Sequence, residues 1–179
     1  MNCGVFYLIA GLVFQSQSFA STYYVGKNGQ DSYSCDEAQN INTPKLTINA
    51  GLACVGTSPG AGAGHSVEVT TGTYMEKIDS VDRFFPSGTS WGAPFTLRAY
   101  GSNVVTIRNS SDINFRIFSD WPQYSIVSGF VFDGTNMGWQ SQQIAFGSCC
   151  TGSSYIRFEN NELINNERSN GMLIGVSSH

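Results

Sequence analysis

Charged residues are scarce in this chain, and histidines are scarcer still. Only 12% of its 179 residues are Asp, Glu, Lys or Arg, and the formal net charge is -4. Nucleic-acid-binding proteins need a basic stripe for phosphate contacts, so this composition excludes that class. The only histidines are His65 and His179, and there is no Cys-x-x-Cys motif. No metal site and no other cofactor is therefore evident in the chain.

The chain also lacks an apolar run long enough to span a bilayer. The longest run, residues 5–14, is ten residues long, about half of what a transmembrane helix needs. Its amino-terminal position, with the small residues Ser18 and Ala20 just beyond it, predicts a signal peptide over residues 1–20 that is cleaved before Ser21. A buried first strand and a membrane anchor are the alternatives. We expect a secreted or cell-surface protein with no membrane contact after cleavage.

Cysteine usage agrees with export. Removal of residues 1–20 leaves four cysteines, and an even number in an exported chain predicts disulfides. Cys35 and Cys54 flank a short segment that ends in a predicted helix, so we predict a disulfide between them. Cys149 and Cys150 are adjacent and rarely bond to each other. A partner on a coil beyond residue 179 and two half-buried thiols at a corner both remain open for them.

Glycine and aromatic residues are plentiful, and one motif occurs twice. The 20 glycines and 13% aromatic residues favour a single all-β domain with many corners. Residues 124–134 can be laid over residues 155–165, which is the period expected of a β-solenoid. The matched positions are Val127 with Phe158, Gly129 with Asn160, Phe132 with Leu163 and Gly134 with Asn165. Short strands with frequent turns also suit a sandwich or jelly roll, but the repeat favours stacked coils.

A short helix is predicted before these strands. Thr43 is a good N-cap and Pro44 suits the first helical position, which predicts a helix over residues 44–55. Its predicted apolar face consists of Leu46, Ala50, Ala53 and Cys54.

The order of these parts resembles a known family. The residues that carry the resemblance are Tyr23, Tyr24 and Val25 before Gly29, then Thr43-Pro44 leading into the helix, then Val67-Glu68-Val69 running into Gly72-Thr73-Tyr74. They resemble the amino-terminal part of secreted right-handed parallel β-helix proteins of the pectate-lyase-like superfamily. A departure is the long insertion over residues 79–94.

The resemblance implies a fold and a division of the chain. The expected fold is an all-β, right-handed parallel β-helix (a solenoid) with a short amino-terminal capping helix. The cap and first strand would occupy residues 21–65 and the coils residues 66–179, with further coils expected beyond the carboxyl end.

The resemblance leaves the activity open. It implies the amino-terminal part of a polysaccharide lyase or glycoside-hydrolase-like protein, with calcium in the full-length parent, or a non-catalytic cell-surface scaffold that binds carbohydrate. The expected partner is polysaccharide, and the expected state is a monomer. Whether the protein is an enzyme stays undecided, because the same motifs occur in proteins without activity.

The residues themselves do not predict a catalytic site. The acidic residues are interpreted as solvated turn residues, which predicts no catalytic residue and no lyase or polygalacturonase turnover by this chain: Asp79, Asp82, Asp112, Asp120, Asp133, Glu159 and Glu162.

Other residues could contribute to binding. Three arginines on predicted strands could stack on one outer face and suit an acidic polysaccharide: Arg98, Arg116 and Arg157. Three loop tryptophans could stack on sugars or cover coil ends: Trp91, Trp121 and Trp139. Four asparagines are interpreted as corner residues that form amide ladders, with a carbohydrate-binding patch as the alternative: Asn160, Asn161, Asn165 and Asn166.

Overall fold

The structure is a computed structural model, and it describes residues 20–56, 58–80, 85–109, 113–118, 124–138, 141–148, 155–166 and 169–176. Short strands dominate these residues. In chain order they are β1 Thr22–Val25, β2 Ser66–Val69, β3 Gly72–Tyr74, β4 Ile78–Asp79, β5 Phe95–Ala99, β6 Val105–Arg108, β7 Ile113–Phe118, β8 Ser125–Ser128, β9 Phe130–Asp133, β10 Ser141–Ser148, β11 Ile156–Glu159, β12 Glu162–Ile164 and β13 Ser169–Val176.

The strands form three parallel sheets. The first sheet has the order β1-β2-β5-β8-β11, the second β3-β6-β9-β12 and the third β4-β7-β10-β13. Every strand pair is parallel. From β2 onward, each set of three consecutive strands supplies one strand to each sheet, and we call such a set a coil. This topology is consistent with an all-β parallel solenoid and excludes the sandwich or jelly roll, which is built from antiparallel strands.

The predicted repeat matches the register in which the strands of the last two coils pair. Val127 pairs with Phe158 and Phe132 pairs with Leu163, as the superposition of the two motifs predicts. Because side chains alternate along a strand, paired residues lie on the same face and stack from coil to coil. Three such stacks fill the interior: Tyr23, Val67, Leu97, Val127 and Phe158 from the first sheet; Tyr74, Ile107, Phe132 and Leu163 from the second; Ile78, Phe115 and Ile144 from the third.

Burial of this interior decreases toward the last coil. Val127 and Phe132 are fully buried at 0% exposure, whereas Phe158 and Leu163 are only partly buried and pack against the core from one side. Ile156 behaves in the same way. The apolar core therefore extends from the helix to the fourth coil, where its side chains are only partly buried.

The helix begins later than the sequence predicts. Helix α1 spans Ile48–Val55, and its N-cap is Thr47, whose hydroxyl accepts a hydrogen bond from the Ala50 amide. The predicted start at Thr43-Pro44 is wrong because the chain is still extended there. Lys45 forms a parallel bridge with Val25, and its amide donates to the Tyr24 carbonyl. Pairing with β1 outweighs the local N-cap signal.

The predicted apolar face of the helix is also wrong. The buried residues are Ile48, Gly51, Leu52 and Val55, whereas Leu46 is 37% exposed and precedes the helix. The helix packs against β1 and β2. Of the described helices, none has the length and apolar character that crossing a membrane would require.

The disulfide between Cys35 and Cys54 is confirmed, with a Cα–Cα distance of 5.3 Å. It ties the carboxyl-terminal part of α1 to the loop after β1. Closing a loop of this length in the unfolded chain stabilises a fold by roughly 3 kcal/mol. Residues 1–19, Cys149 and Cys150 lie outside the described residues, as do Asp82, Asp112, Asp120, Trp121, Trp139 and His179.

The prediction that asparagines occupy the corners is confirmed. The prediction that their side-chain amides form a ladder with one another is wrong for the residues that the structure describes. Asn160 and Asn165 have positive φ values of 55° and 57°, the left-handed conformation that Asn tolerates better than other residues. The Asn161 side chain accepts from the Phe130 amide at 2.9 Å and donates to the Val127 carbonyl at 2.9 Å. Asparagine amides therefore join neighbouring coils, but through partners that are not asparagine.

Candidate functional site

An exposed group of aromatic rings lies along the edge where the strands of the first sheet begin. We call Trp91, Tyr124, Tyr155 and Arg157 the aromatic cluster. Tyr124 and Tyr155 stack face to face, with ring centroids 4.6 Å apart and an interplanar angle of 6°. Trp91 meets Tyr124 edge-on at 5.5 Å. The Arg157 guanidinium lies over the Trp91 ring, 4.1 Å from its centroid.

Backbone hydrogen bonds fix the two tyrosines at equivalent points of neighbouring coils. Tyr124 immediately precedes β8 and Tyr155 immediately precedes β11. The Tyr124 carbonyl accepts from the Phe95 amide, and the Tyr155 carbonyl accepts from the Ser125 amide, both at 3.0 Å. Coil stacking thus places these two rings one above the other.

Tyr124 also has an unusual backbone conformation. Its φ is 40°, in the left-handed region that bulky residues rarely adopt. Such a conformation costs of order 1–3 kcal/mol, and residues that adopt it cluster at active sites and ligand-binding sites. Here it accompanies the placement of the ring between Trp91 and Tyr155.

The cluster is accessible to a ligand. Trp91 is 38% exposed and Tyr155 is 40% exposed, and Arg157 is also exposed. Aromatic rings offer a flat apolar surface at a low cost in side-chain entropy. A guanidinium beside them adds hydrogen-bond donors and a fixed positive charge. The combination suits a ligand that has one flat apolar face and a polar rim.

The three arginines expected on one face do not share it. Arg98 and Arg157 lie on the first sheet, on β5 and β11, whereas Arg116 lies on β7 of the third sheet. Arg98 is bound to Glu68, with Nε 3.0 Å from Oε1. Arg116 is bound to Asp79, with Nε 2.8 Å from Oδ1. The proposed arginine stack is therefore wrong, because two of its members are ion-paired within the fold and one is on another sheet.

Two acidic residues interpreted as solvated turns are in fact buried. Asp79 is 4% exposed and pairs with Arg116 and with Lys77, whose Nζ lies 3.2 Å from Oδ2. Asp133 is 1% exposed and pairs with Arg108. Burial overrides the turn interpretation in both cases, because a buried carboxylate needs a cation and hydrogen bonds.

Asp133 is held firmly in its charged form. Burial alone would raise the pKa of its carboxyl group. Hydrogen bonds from Thr135 and Asn165, together with the Arg108 guanidinium, outweigh burial and hold the pKa well below its usual range. A carboxylate of this kind is a poor proton donor or acceptor near neutral pH.

The remaining acidic candidates on described residues stay on the surface. Glu159 and Glu162 are both exposed, on either side of a corner. Within the part of the chain that the structure describes, no group of three or more His, Cys, Asp or Glu side chains converges as metal ligands.

Sequence reasoning recognised Trp91 as a sugar-stacking candidate but not the two tyrosines. Their signal was present, because Tyr124 and Tyr155 are the first residues of the two repeated motifs. The chain matches no protein-family model, no curated protein and no solved structure. The function is therefore inferred from the residues of the cluster and the fold that positions them.

Proposed function

We propose that this protein is an exported, right-handed parallel β-helix of the pectate-lyase-like type that binds polysaccharide through the aromatic cluster. The aromatic cluster, in which Trp91, Tyr155 and Arg157 are exposed and Tyr124 is half-buried, is the single observation that carries the proposal. Three parallel sheets, a helix packed at the first coil and a disulfide in the cap support the fold part of it. The disulfide also supports export, because such bonds persist in oxidising compartments.

The chemistry of the cluster favours a carbohydrate over a protein or a lipid. Pyranose rings present C–H groups on one face and hydroxyls around the rim, which complements an exposed aromatic ring with a donor-rich guanidinium nearby. Tyr155 offers such a ring, whereas one face of Trp91 is covered by the Arg157 guanidinium. Trp91 precedes β5, Tyr124 precedes β8 and Tyr155 precedes β11, so the cluster extends across three successive coils and a chain of several sugar units could contact more than one ring. A polymer is therefore a better fit than a monosaccharide.

The arrangement of the cluster predicts how a bound sugar chain would be oriented relative to the strands. Tyr124 and Tyr155 are stacked across neighbouring strands, along the direction in which the coils succeed one another. A sugar chain that contacts Trp91 and Tyr155 would therefore cross the strands rather than follow one strand.

A depletion assay tests this proposal. The purified protein is incubated with insoluble cellulose, xylan or cross-linked polygalacturonate, and the protein left in solution is measured. We expect retention on at least one polymer, reduced by Trp91→Ala and by Tyr155→Ala. Tyr100→Ala is the matched control, because Tyr100 is 39% exposed and contacts Tyr24 rather than the cluster. Equal retention of all variants, or no retention on any of the polymers, would contradict the proposal.

The same samples separate binding from turnover. Release of soluble oligosaccharides is followed with the bound and unbound protein, with and without calcium. A binding scaffold retains protein and releases nothing, whereas a lyase or hydrolase releases sugar over time. Product release that is abolished by changing an acidic residue would make that residue part of an active site.

A further inference from the structure

The backbone amide of Ser21 has a side-chain partner. The amide of Ser21, just ahead of β1, donates to Nδ1 of His65 at 3.0 Å. The carbonyl of Ser21 accepts from the Ser66 amide at 2.9 Å and so begins the pairing of β1 with β2. Both backbone groups of Ser21 are thus hydrogen-bonded, and its amide donates to an imidazole nitrogen rather than to a carbonyl oxygen.

His65 is well placed to hold that nitrogen. Its own amide donates to the Gly62 carbonyl at 3.0 Å, and its carbonyl accepts from the Thr96 amide at 3.1 Å. Its ring stacks on Tyr23, with centroids 6.3 Å apart. Because Nδ1 accepts a hydrogen bond from the Ser21 amide, a neutral His65 carries its own proton on Nε2. An unprotonated imidazole nitrogen is an acceptor for an ammonium group as well as for an amide.

The peptide bond on the other side of Ser21 has the features of a processing site. An apolar run over residues 5–14 is followed by small residues at Ser18 and Ala20, the pattern that precedes cleavage in exported chains. Ala20 is exposed. Cleavage after Ala20 would leave the nitrogen of Ser21 as the first atom of the mature chain.

We propose that the Ala20–Ser21 bond is hydrolysed by a peptidase of the export pathway and that the new α-ammonium group of Ser21 docks on Nδ1 of His65. Water supplies the oxygen that makes Ala20 a carboxylate, the C–N bond breaks, and the Ser21 nitrogen takes up protons to become an ammonium at neutral pH. The existing hydrogen bond then becomes charge-assisted, and such bonds are roughly twice as strong as neutral ones. Maturation therefore tightens the docking of β1, the edge strand of the first sheet. This inference rests on the proposed export of the chain and is independent of polysaccharide binding.

The position of cleavage is tested first. The full chain is expressed in an export-competent host, and the secreted protein is examined by amino-terminal sequencing and intact mass. The inference predicts a mature chain that begins at Ser21. A mature chain that begins elsewhere, or an exported chain that keeps residues 1–20, would overturn it.

The docking is tested on the mature protein with free and Nα-acetylated Ser21. In each form His65 is kept or is replaced by Leu or by Asn. Leu removes the acceptor, whereas the Asn side-chain oxygen can take the place of Nδ1 as an acceptor. We expect His65→Leu to lower the Tm by about 4 °C with a free amino group and by about half as much with the acetylated one. His65→Asn should recover most of the difference in the free form. Equal losses in both forms, or no recovery by Asn, would overturn the docking.

A spectroscopic measurement covers the case in which the Leu variant does not fold. The ¹⁵N chemical shifts of the His65 ring in the unaltered mature protein report which nitrogen carries the proton. At neutral pH the docking requires an unprotonated Nδ1 and a protonated Nε2. A proton on Nδ1 would rule out its role as acceptor for Ser21.

Discussion

At the scale of single residues, arginine–carboxylate pairs join neighbouring coils. Among the described residues each sheet has one such pair between residues in register: Glu68 with Arg98 on the first sheet, Arg108 with Asp133 on the second and Asp79 with Arg116 on the third. The carboxylates are the buried partners. The arginine side chains are partly exposed, from 22% at Arg116 to 54% at Arg98. Removing an arginine should therefore cost less than breaking a fully buried pair, which costs about 3–5 kcal/mol. These pairs therefore favour one register of the coils over its neighbours.

The pair at Asp133 predicts a pH dependence of stability. Its pKa in the folded protein is held well below that of the unfolded chain, which is about 4. The stabilisation is therefore fully present above the unfolded value and is lost as pH falls toward the folded value. Asp133→Asn should be less stable than the wild type at pH 7 and should lose less on acidification from pH 5 to pH 2. Urea unfolding across this range measures the difference.

The control for this prediction is Glu162→Gln, which removes an exposed carboxylate from β12, the strand that pairs with the Asp133 strand β9. It should leave stability near that of the wild type at pH 7. If Asp133→Asn and Glu162→Gln gave the same pH profile, the pairing of Asp133 would not contribute to acid sensitivity.

Asn161 provides a second residue-scale prediction. Its side-chain amide bonds both to the Phe130 amide and to the Val127 carbonyl, around the corner at Gly129. Asn161→Ala leaves both backbone groups without this partner and should lower the free energy of unfolding by about 1–3 kcal/mol. Asn166→Ala, at an exposed position nearby, should change it by less than about 0.5 kcal/mol. Similar denaturation midpoints for the two variants would contradict the corner role of Asn161.

At the scale of elements, the helix shows how packing overrides propensity. A glycine inside a helix usually costs about 1 kcal/mol relative to alanine. At Gly51, however, an added Cβ would lie 2.5 Å from Cγ2 of Val25 and 3.1 Å from Cγ1 of Val67. The glycine lets α1 approach β1 and β2 closely enough to cover the first coil.

Replacement of Gly51 tests this close approach. Gly51→Ala should destabilise the protein by about 1–3 kcal/mol, the cost of overpacking, instead of stabilising it. Val25→Ala in the same chain should remove part of that cost. Ala53→Gly is the control at an exposed position and should cost only about 1 kcal/mol. Thermal unfolding followed by circular dichroism measures all three variants against the wild type, and a stabilising Gly51→Ala would contradict the packing described.

The elements also show what the sequence can and cannot predict. In β5 and β7 apolar residues alternate with polar ones, as in Phe95-Thr96-Leu97-Arg98 and Ile113-Asn114-Phe115-Arg116, and such a local pattern is typical of a half-buried strand. The start of the helix was missed because Thr43-Pro44 has the local features of an N-cap, whereas Lys45 pairs with Val25 across the chain. Pairing between distant segments leaves no local pattern.

At the scale of the whole molecule, the spacing between paired residues varies with the loops. The ion pairs join residues that are 30, 25 and 37 positions apart, so a single period does not predict them. Tyr124 and Tyr155 could have been placed together, because they begin the two copies of the repeat. Trp91 could not, because its position depends on the conformation of the loop before β5. The parallel all-β architecture could thus be predicted from the sequence, and the aromatic cluster only in part.

The central claim is that the aromatic cluster is a polysaccharide-binding surface built across successive coils. Isothermal titration with a hexasaccharide of the polymer selected by the depletion assay tests it most directly. The account predicts measurable binding by the wild type and a Kd about tenfold higher for Tyr155→Ala and for Trp91→Ala, a loss of about 1.4 kcal/mol for each. Tyr100→Ala should keep the wild-type Kd. Unchanged affinity in both cluster variants, or an equal loss in Tyr100→Ala, would contradict the claim.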